Sequence, residues 1–357
     1  DSKRLCSAVG RGCEEYLSKQ LVKWFIIKSG KGEGCESIFT CYMKIVVLDG
    51  YTENPGDLDW KAFERLGELT VYDRSDEAQI QERVQNADAV IVNKARMTKK
   101  LMEALPRLRY IGVLATGYDV VDTEAAKQLG IAVCNVPGYG TDTVAQYAIA
   151  LLLEVTSRIG HHAKRVKEGE WARNADWCFW EYPLQELSGR MMGIIGYGRI
   201  GKRVGEIARA LGMQILYYDA HALEDGSGKR VSLEELLRQS DVVSLHCPLT
   251  KENDSLINKK TLAMMKPNAI LINNARGKLI NEADLAQALK NGTIYAAALD
   301  VVREEPIRSD NPLLECDNCL ITPHISWASK EARSRIMETA VENLRCFLQG
   351  EEQNRIV

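Results

Sequence analysis

Apolar residues fall along this chain in two series of short runs, each run followed by a stretch with helical spacing. From position 43 onward, β-branched runs at 45–48, 69–72, 89–92, 110–114 and 131–134 read as strands. Between them, segments near 57–66, 76–86, 98–105 and 122–129 have the patterning of helices with one buried face. Residues 143–159 form a long, strongly apolar helix with Thr141 or Asp142 available as its cap, suited to burial between layers. The second series has strands at 192–196, 214–218, 241–245, 269–273, 294–299 and 319–322. Within it, Ser232-Leu-Glu-Glu235 has capping-box spacing, and Asn281 precedes a helix that ends near Asn291-Gly292. Residues 328–349 close the chain as one more helix.

Strand-helix alternation predicts parallel sheets covered on both faces, because each crossover helix must pack back onto its sheet. Two such series without a low-complexity linker predict two doubly wound α/β domains around a shared cleft. Residues 1–42 break the pattern: they hold four of the ten cysteines and lack a clean period. An extension outside the fold is expected there, of the kind that a start codon assigned too early produces, with a targeting or partner-binding tail as the alternative.

A length of 357 residues is enough for two well-developed cores. A net charge of −3 with 45% apolar residues gives no basic surplus for nucleic acid, and no apolar run approaches a membrane span. The cysteines are too sparse for a disulfide framework. Cys316-Asp-Asn-Cys319 has redox or zinc spacing but no second pair, so two unrelated thiols and no metal are expected. A cytoplasmic chain that engages neither nucleic acid nor membrane is the expectation.

Candidate chemistry begins at Gly196-Tyr-Gly-Arg-Ile-Gly201, between a predicted strand and a predicted helix. Gly196 suits a tight turn, Gly198 lets backbone approach a pyrophosphate, and Gly201 lets helix and strand pack closely. The helix start then presents free N–H groups to the phosphate. Asp219 follows the next strand about 20 residues on, where an acidic residue accepts from an adenosine ribose. Such a carboxylate favours NAD and repels a 2′-phosphate. The adjoining Ala220-His-Ala222 supplies no arginine, although Lys229 and Arg230 follow closely in sequence.

Three further residues sit at or just beyond strand ends: Arg276, Glu305 and His324. Ligands of open parallel sheets bind beyond the carboxyl ends of the strands, so all three are expected to converge on the cofactor. Reduction of a 2-keto acid needs a planar cation for the carboxylate and a proton for the carbonyl oxygen. Histidine titrates near neutral pH, and an adjacent carboxylate favours its protonated form. Taken singly, each of the three has an ordinary alternative as an ion pair, a turn residue or a loop histidine. The remaining histidines (161, 162, 221 and 246) show no partner pattern.

These segments, with Asn274-Ala-Arg-Gly277, Ala298-Leu-Asp-Val301, Glu305-Pro306 and Thr322-Pro-His324, resemble the D-isomer-specific 2-hydroxyacid dehydrogenases in order and spacing across 43–357. The resemblance implies a flavodoxin-like substrate-binding domain at 43–142 to which 328–357 returns. It also implies a Rossmann NAD-binding domain at 143–327, and a homodimer. By position, Arg276 would anchor the substrate, His324 would donate the proton and Glu305 would be its partner. Gly196, Gly198, Arg199, Ile200, Gly201, Asp219, Cys247, Pro248, Ala275 and Asp300 would hold the cofactor, and Ala115, Thr116 and Gly117 the substrate carboxylate. Within the family, Leu114-Ala-Thr-Gly-Tyr-Asp-Val-Val-Asp122, Gly140-Thr-Asp-Thr-Val-Ala-Gln146, Phe179-Trp-Glu-Tyr-Pro183 and His324-Ile-Ser-Trp-Ala328 are most similar to bacterial glycerate dehydrogenases, also called hydroxypyruvate reductases. Trp327 is expected to wall a small pocket, whereas Trp177 and Trp180 read as core or interface aromatics. D-Lactate, glyoxylate or a bulkier 2-keto acid remain alternative substrates, and a non-enzymatic NAD-sensing scaffold is the alternative from another class.

Overall fold

The computed structural model describes residues 43–222 and 226–357, so the expectation for residues 1–42 lies outside the described residues. The chain divides into two compact units and passes between them at Tyr139–Gly140 and at Ser329–Lys330.

In the first unit, β1 (Lys44–Val47), β2 (Glu68–Val71), β3 (Ala89–Val92), β4 (Tyr110–Val113) and β5 (Ala132–Cys134) pair in parallel. Their order is β2-β1-β3-β4-β5, the flavodoxin-like arrangement. Central β3 and β4 are buried at every position, as two-sided cover requires, while edge strand β2 alternates with exposed residues. The helix Thr123–Leu129 shows how local sequence sets its bounds. The Asp122 carboxylate accepts from Ala125 N at 3.0 Å, and Gly130 stops the helix in the left-handed region at φ 71°.

The closing helix, Lys330–Gln349, belongs to this unit. Arg333 grips Asp57 with two parallel bonds of 2.7 Å, Arg335 donates to Tyr139 O, and Asn343 donates to Asn135 O.

In the second unit, β6 (Met191–Ile195), β7 (Gln214–Tyr218), β8 (Lys229–Arg230), β9 (Val242–Leu245), β10 (Ile270–Asn273), β11 (Ala296–Leu299) and β12 (Cys319–Ile321) form a parallel sheet. The order β12-β11-β10-β9-β6-β7-β8 is the Rossmann winding with one strand added beyond it. Strand β8 has no hydrophobic signal because Lys229 and Arg230 are both exposed. The apolar helix spans Thr141–Ser157 and buries Ala148, Ile149, Leu152 and Val155 in the same cluster as Ile194 and Ile272.

Its ends differ from the expectation. Gly140 is the N-cap, and Asp142 turns to Arg203 at 2.9 Å instead of capping. Arg158 adopts φ 50°, which breaks the helix and starts a second one at Ile159–Lys167. Half of the expected capping box forms. Ser232 Oγ accepts from Glu235 N, but the Glu235 carboxylate pairs with Lys229 and Gln239.

One buried group in the first unit is uncompensated. Glu53 is fully buried, and neither carboxyl oxygen has a hydrogen-bond partner among the described residues. Burial pushes its carboxyl up to about 8, against a smaller opposing pull from the Arg333 charge. Above an ordinary carboxyl pKa of about 4.5, the unfolded chain sheds this proton while the folded chain keeps it. Stability contributed by the neutral acid is therefore lost as pH rises from about 4.5 to about 8, a loss on the order of 5 kcal/mol. Glu53→Gln removes this titration. Urea unfolding at pH 5 and pH 8 should show a markedly smaller drop in the variant than in the wild type, and equal drops would refute the assignment.

Candidate active site

The glycine loop follows β6. Gly196 has φ 92°, and a β-carbon there would stand 2.4 Å from Cys247 N. The segment His246–Cys247–Pro248 after β9 therefore lies directly on the turn. A β-carbon at Gly201 would stand 2.1 Å from Gly196 O, so the helix Arg199–Ala210 is pressed against the same turn. Gly198 is the N-cap of that helix, and a β-carbon there would point into open space. Arg199 opens the helix, and Ile200 packs against the core beneath it. A helix start with clear space before it is a cradle for an anion, and a dinucleotide pyrophosphate fits it.

Asp219 follows β7. Its Oδ2 accepts from Tyr197 N at 2.7 Å, and its Oδ1 accepts from His221 N at 2.7 Å and Ala222 N at 2.9 Å. Partial burial works to raise its pKa, but these three N–H donors and the His221 charge outweigh it and hold the carboxyl below the usual range. A carboxylate has about four acceptor positions, so Oδ2 keeps one for a ribose hydroxyl. Arg230 donates to Ala220 O at 3.3 Å, which brings its guanidinium to the same turn, while Lys229 pairs with Glu235.

Arg276 follows β10 on a turn braced by Asn273, a fully buried residue. Asn273 donates to Arg276 O at 2.9 Å and accepts from Ala275 N at 3.0 Å, and the Arg276 guanidinium donates to Ala275 O. Asn274 ties the turn to Val144 O on the apolar helix. Immediately after Arg276, a β-carbon at Gly277 would meet Val302 O at 1.9 Å. The Val302 N–H in turn donates to Glu305 Oε1 at 3.2 Å, and Glu305 Oε2 lies 2.6 Å from His324 Nδ1. The loops after β10, β11 and β12 are thus tied in sequence, and they carry Arg276, Glu305 and His324.

His324 stands at φ 56°. Its carbonyl accepts from the Trp327 indole at 2.8 Å, so this tryptophan fastens the loop. Asp300 is fully buried, and both of its oxygens face residues 322–326. Ala115, Thr116 and Gly117 lie in the first unit, beyond β4. There Thr116 donates to Val136 O and its carbonyl accepts from Asn135.

The other histidines have local partners. His161 pairs with Glu181, His162 with Arg158 O, and His246 with Ser244 Oγ; burial pushes the His246 imidazole down to about 4. Cys247, at the cradle, is raised to about 11 by burial. Asn273 and Gly277 hold the Arg276 turn in place; Gly277 lies in the quoted segment Asn274-Ala-Arg-Gly277, whereas Asn273 was not among the candidate site residues. A polar residue at the inward end of an apolar strand is the signal for Asn273.

Residues 149–326 match the model of the D-isomer specific 2-hydroxyacid dehydrogenase NAD-binding domain. A hydroxypyruvate reductase of Blautia hydrogenotrophica is 56% identical over 87% of this chain and 99% of its own length. A glycerate dehydrogenase of Methylorubrum extorquens is 42% identical over 77% of this chain and 87% of its own. Among solved structures, an NADPH-dependent glyoxylate/hydroxypyruvate reductase of Sinorhizobium meliloti in complex with NADP and malonate superposes with a TM-score of 0.77. It is 29% identical, and the match covers 88% of this chain and 97% of that one. The chain belongs to the D-isomer specific 2-hydroxyacid dehydrogenases, a family of oxidoreductases.

Proposed function

We propose that this chain is an NADH-dependent D-2-hydroxyacid dehydrogenase that interconverts D-glycerate and hydroxypyruvate. The observation that carries the reaction type is the Glu305–His324 pair, set on loops adjoining the one that carries Arg276. The names of the two curated relatives support the substrate.

The nicotinamide, when bound, supplies the hydride for substrate C2. Gly196, Gly198, Arg199, Ile200 and Gly201 would hold the pyrophosphate, Asp219 the ribose, and Cys247, Pro248 and Ala275 would line the cofactor. The planar fork of Arg276 pairs with the substrate carboxylate and orients the carbonyl. With Nδ1 committed to Glu305, His324 presents Nε2 as the atom that gives a proton to the carbonyl oxygen. In the oxidative direction the same nitrogen takes it back. Glu305 fixes the imidazole through Nδ1, and the Val302 N–H keeps Glu305 in place.

Asp219 supports NADH over NADPH, because its ionised carboxyl repels a 2′-phosphate. Arg230 at the neighbouring carbonyl is the cation that opposes this preference. Free thiols at all six described cysteines support a reducing, cytoplasmic setting. A homodimer is supported by the exposed apolar residues within 159–184: Trp177 is 86% and Trp180 is 64% exposed, and Ile159, Trp171 and Leu184 are exposed as well. Large exposed apolar groups of this kind suit a self-complementary two-fold contact.

NADH oxidation with hydroxypyruvate, glyoxylate and pyruvate tests the substrate. Hydroxypyruvate should give the highest kcat/KM, and a clear preference for another acid would refute the reading. His324→Ala should lower kcat by roughly a thousandfold. Arg276→Ala should cut kcat/KM roughly tenfold to a hundredfold, mostly through KM. NADH should exceed NADPH in kcat/KM by roughly tenfold, the effect of about 1.4 kcal/mol, and Asp219→Ala should narrow that ratio.

Gly277→Ala should lower kcat by roughly tenfold to a hundredfold as the displaced Val302 peptide releases Glu305. NADH binding should survive, since the cradle is untouched; unchanged kcat would break the proposed link between the two loops. Light scattering should give the mass of two chains for the wild type and one for the Trp177→Glu/Trp180→Glu variant. A wild type that runs as a monomer would remove the dimer.

A further inference from the structure

The loop after β11 carries one more side chain that reaches across to the loop after β10. Arg303 lies between Val302, whose carbonyl presses on Gly277, and Glu305, whose Oε1 accepts from the Val302 N–H. Its own backbone N–H donates to Glu282 Oε1 at 2.7 Å, and Glu282 Oε2 accepts from Asn311 at 3.0 Å. Its Nη1 lies 3.1–3.2 Å from four oxygens: Asp254 Oδ1, Ser255 Oγ, Lys278 O and Ile280 O.

These oxygens sit along a short piece of parallel ladder. Ser255 N donates to Lys278 O, Ile257 N to Leu279 O, and Asn281 N to Ile257 O. Ile257, Leu279 and Ile280 are buried, so the ladder is anchored in the core. Ser255 takes φ 55°, a conformation that a side-chain-bearing residue keeps only when its surroundings impose it. The Ser255 hydroxyl and the Arg303 charge hold the Asp254 carboxyl below the usual range.

Lys278 and Ile280 follow Gly277 in the loop of Arg276. At Gly277 the Val302 carbonyl and the Arg303 nitrogen leave no room for a β-carbon. Touching peptides attract one another only weakly, so a contact this close needs a separate force to hold it. The bonds from the Arg303 cation cross the same two loops, and bonds from a charged donor are the stronger kind.

We propose that Arg303 is a positioning residue: its guanidinium clamps the loop of Glu305 onto the loop of Arg276, and so sets the substrate-orienting cation relative to the Glu305–His324 pair. This rests on the roles proposed above for those three residues. A single nitrogen with two N–H groups serves all four oxygens, so a placed positive charge matters here more than the planar fork. An ammonium can fill that place, whereas an apolar chain takes a donor from both carbonyls.

The test compares wild type with Arg303→Lys, Arg303→Met and Asp254→Asn. Steady-state rates give kcat and KM, and fluorescence gives the NADH Kd. Residue-resolved amide hydrogen exchange reads the Val302 N–H, which Glu305 Oε1 covers, with β6 amides as the reference for overall stability. Exchange needs no turnover, so a wild type inactive on every 2-keto acid would sink the proposed function while leaving this measurement intact.

Arg303→Met should speed Val302 exchange about tenfold or more relative to β6 and lower kcat about tenfold, with the NADH Kd within about twofold. Arg303→Lys should stay within about threefold of wild type in each readout, and Asp254→Asn should fall between the two. Val302 exchange that rises only in step with β6 would reduce Arg303 to general stability and overturn the proposal, as would Arg303→Lys behaving like Arg303→Met. If Arg303→Met does not fold, unmoved Val302 exchange in Asp254→Asn overturns it equally.

Discussion

At the carboxyl edge of the second sheet, backbone lies directly against backbone at three points that leave no room for a β-carbon. Gly196 meets the Cys247 peptide, Gly201 meets Gly196 O, and Gly277 meets the Val302 carbonyl. The first two shape the cradle at the start of the helix Arg199–Ala210, and the third joins the loop of Arg276 to the loop of Glu305. Without these contacts each loop would stand off by at least the width of a methyl group. The donors and acceptors that join the loops span 2.6–3.2 Å and tolerate no such gap.

Three carboxylates of the chain show what such positioning requires. Asp219 and Asp300 each accept from backbone N–H groups of the turn they organise, so their charge is met by fixed dipoles at short range. Glu53 has no comparable partner and is driven toward its neutral form. The contrast is one of local chain geometry. An acid just after a strand faces the free N–H groups of the turn or loop it organises, whereas an acid enclosed by packing does not find them.

Much of this was legible beforehand because it rests on short-range rules. Both doubly wound sheets followed from strand-helix alternation, and the motif residues did fall at strand ends, where the second sheet brings the loops after β10, β11 and β12 side by side. What escaped detection depends on contacts between distant segments. Strand β8 is too short and too exposed to show a period, and Arg158 breaks a helix that propensity would continue. Asn273 read as the end of a strand, although its amide braces the turn of Arg276. Asp300 is a candidate cofactor residue by position, and the structure adds that both of its oxygens accept from the histidine loop.

The order of the sheet sets the three candidate residues on adjoining loops. Strands β10, β11 and β12 are neighbours, so the loops that carry Arg276, Glu305 and His324 need only short links: a glycine contact, one N–H to a carboxylate, and one carboxylate to an imidazole. The dinucleotide cradle lies across the winding reversal, between β6 and β9, and is joined to them through the sheet itself. The residues proposed to set cofactor choice are local as well: Asp219 and Arg230 both meet the turn after β7. The parts that must be rigid share one sheet edge, and the parts that can differ lie around it.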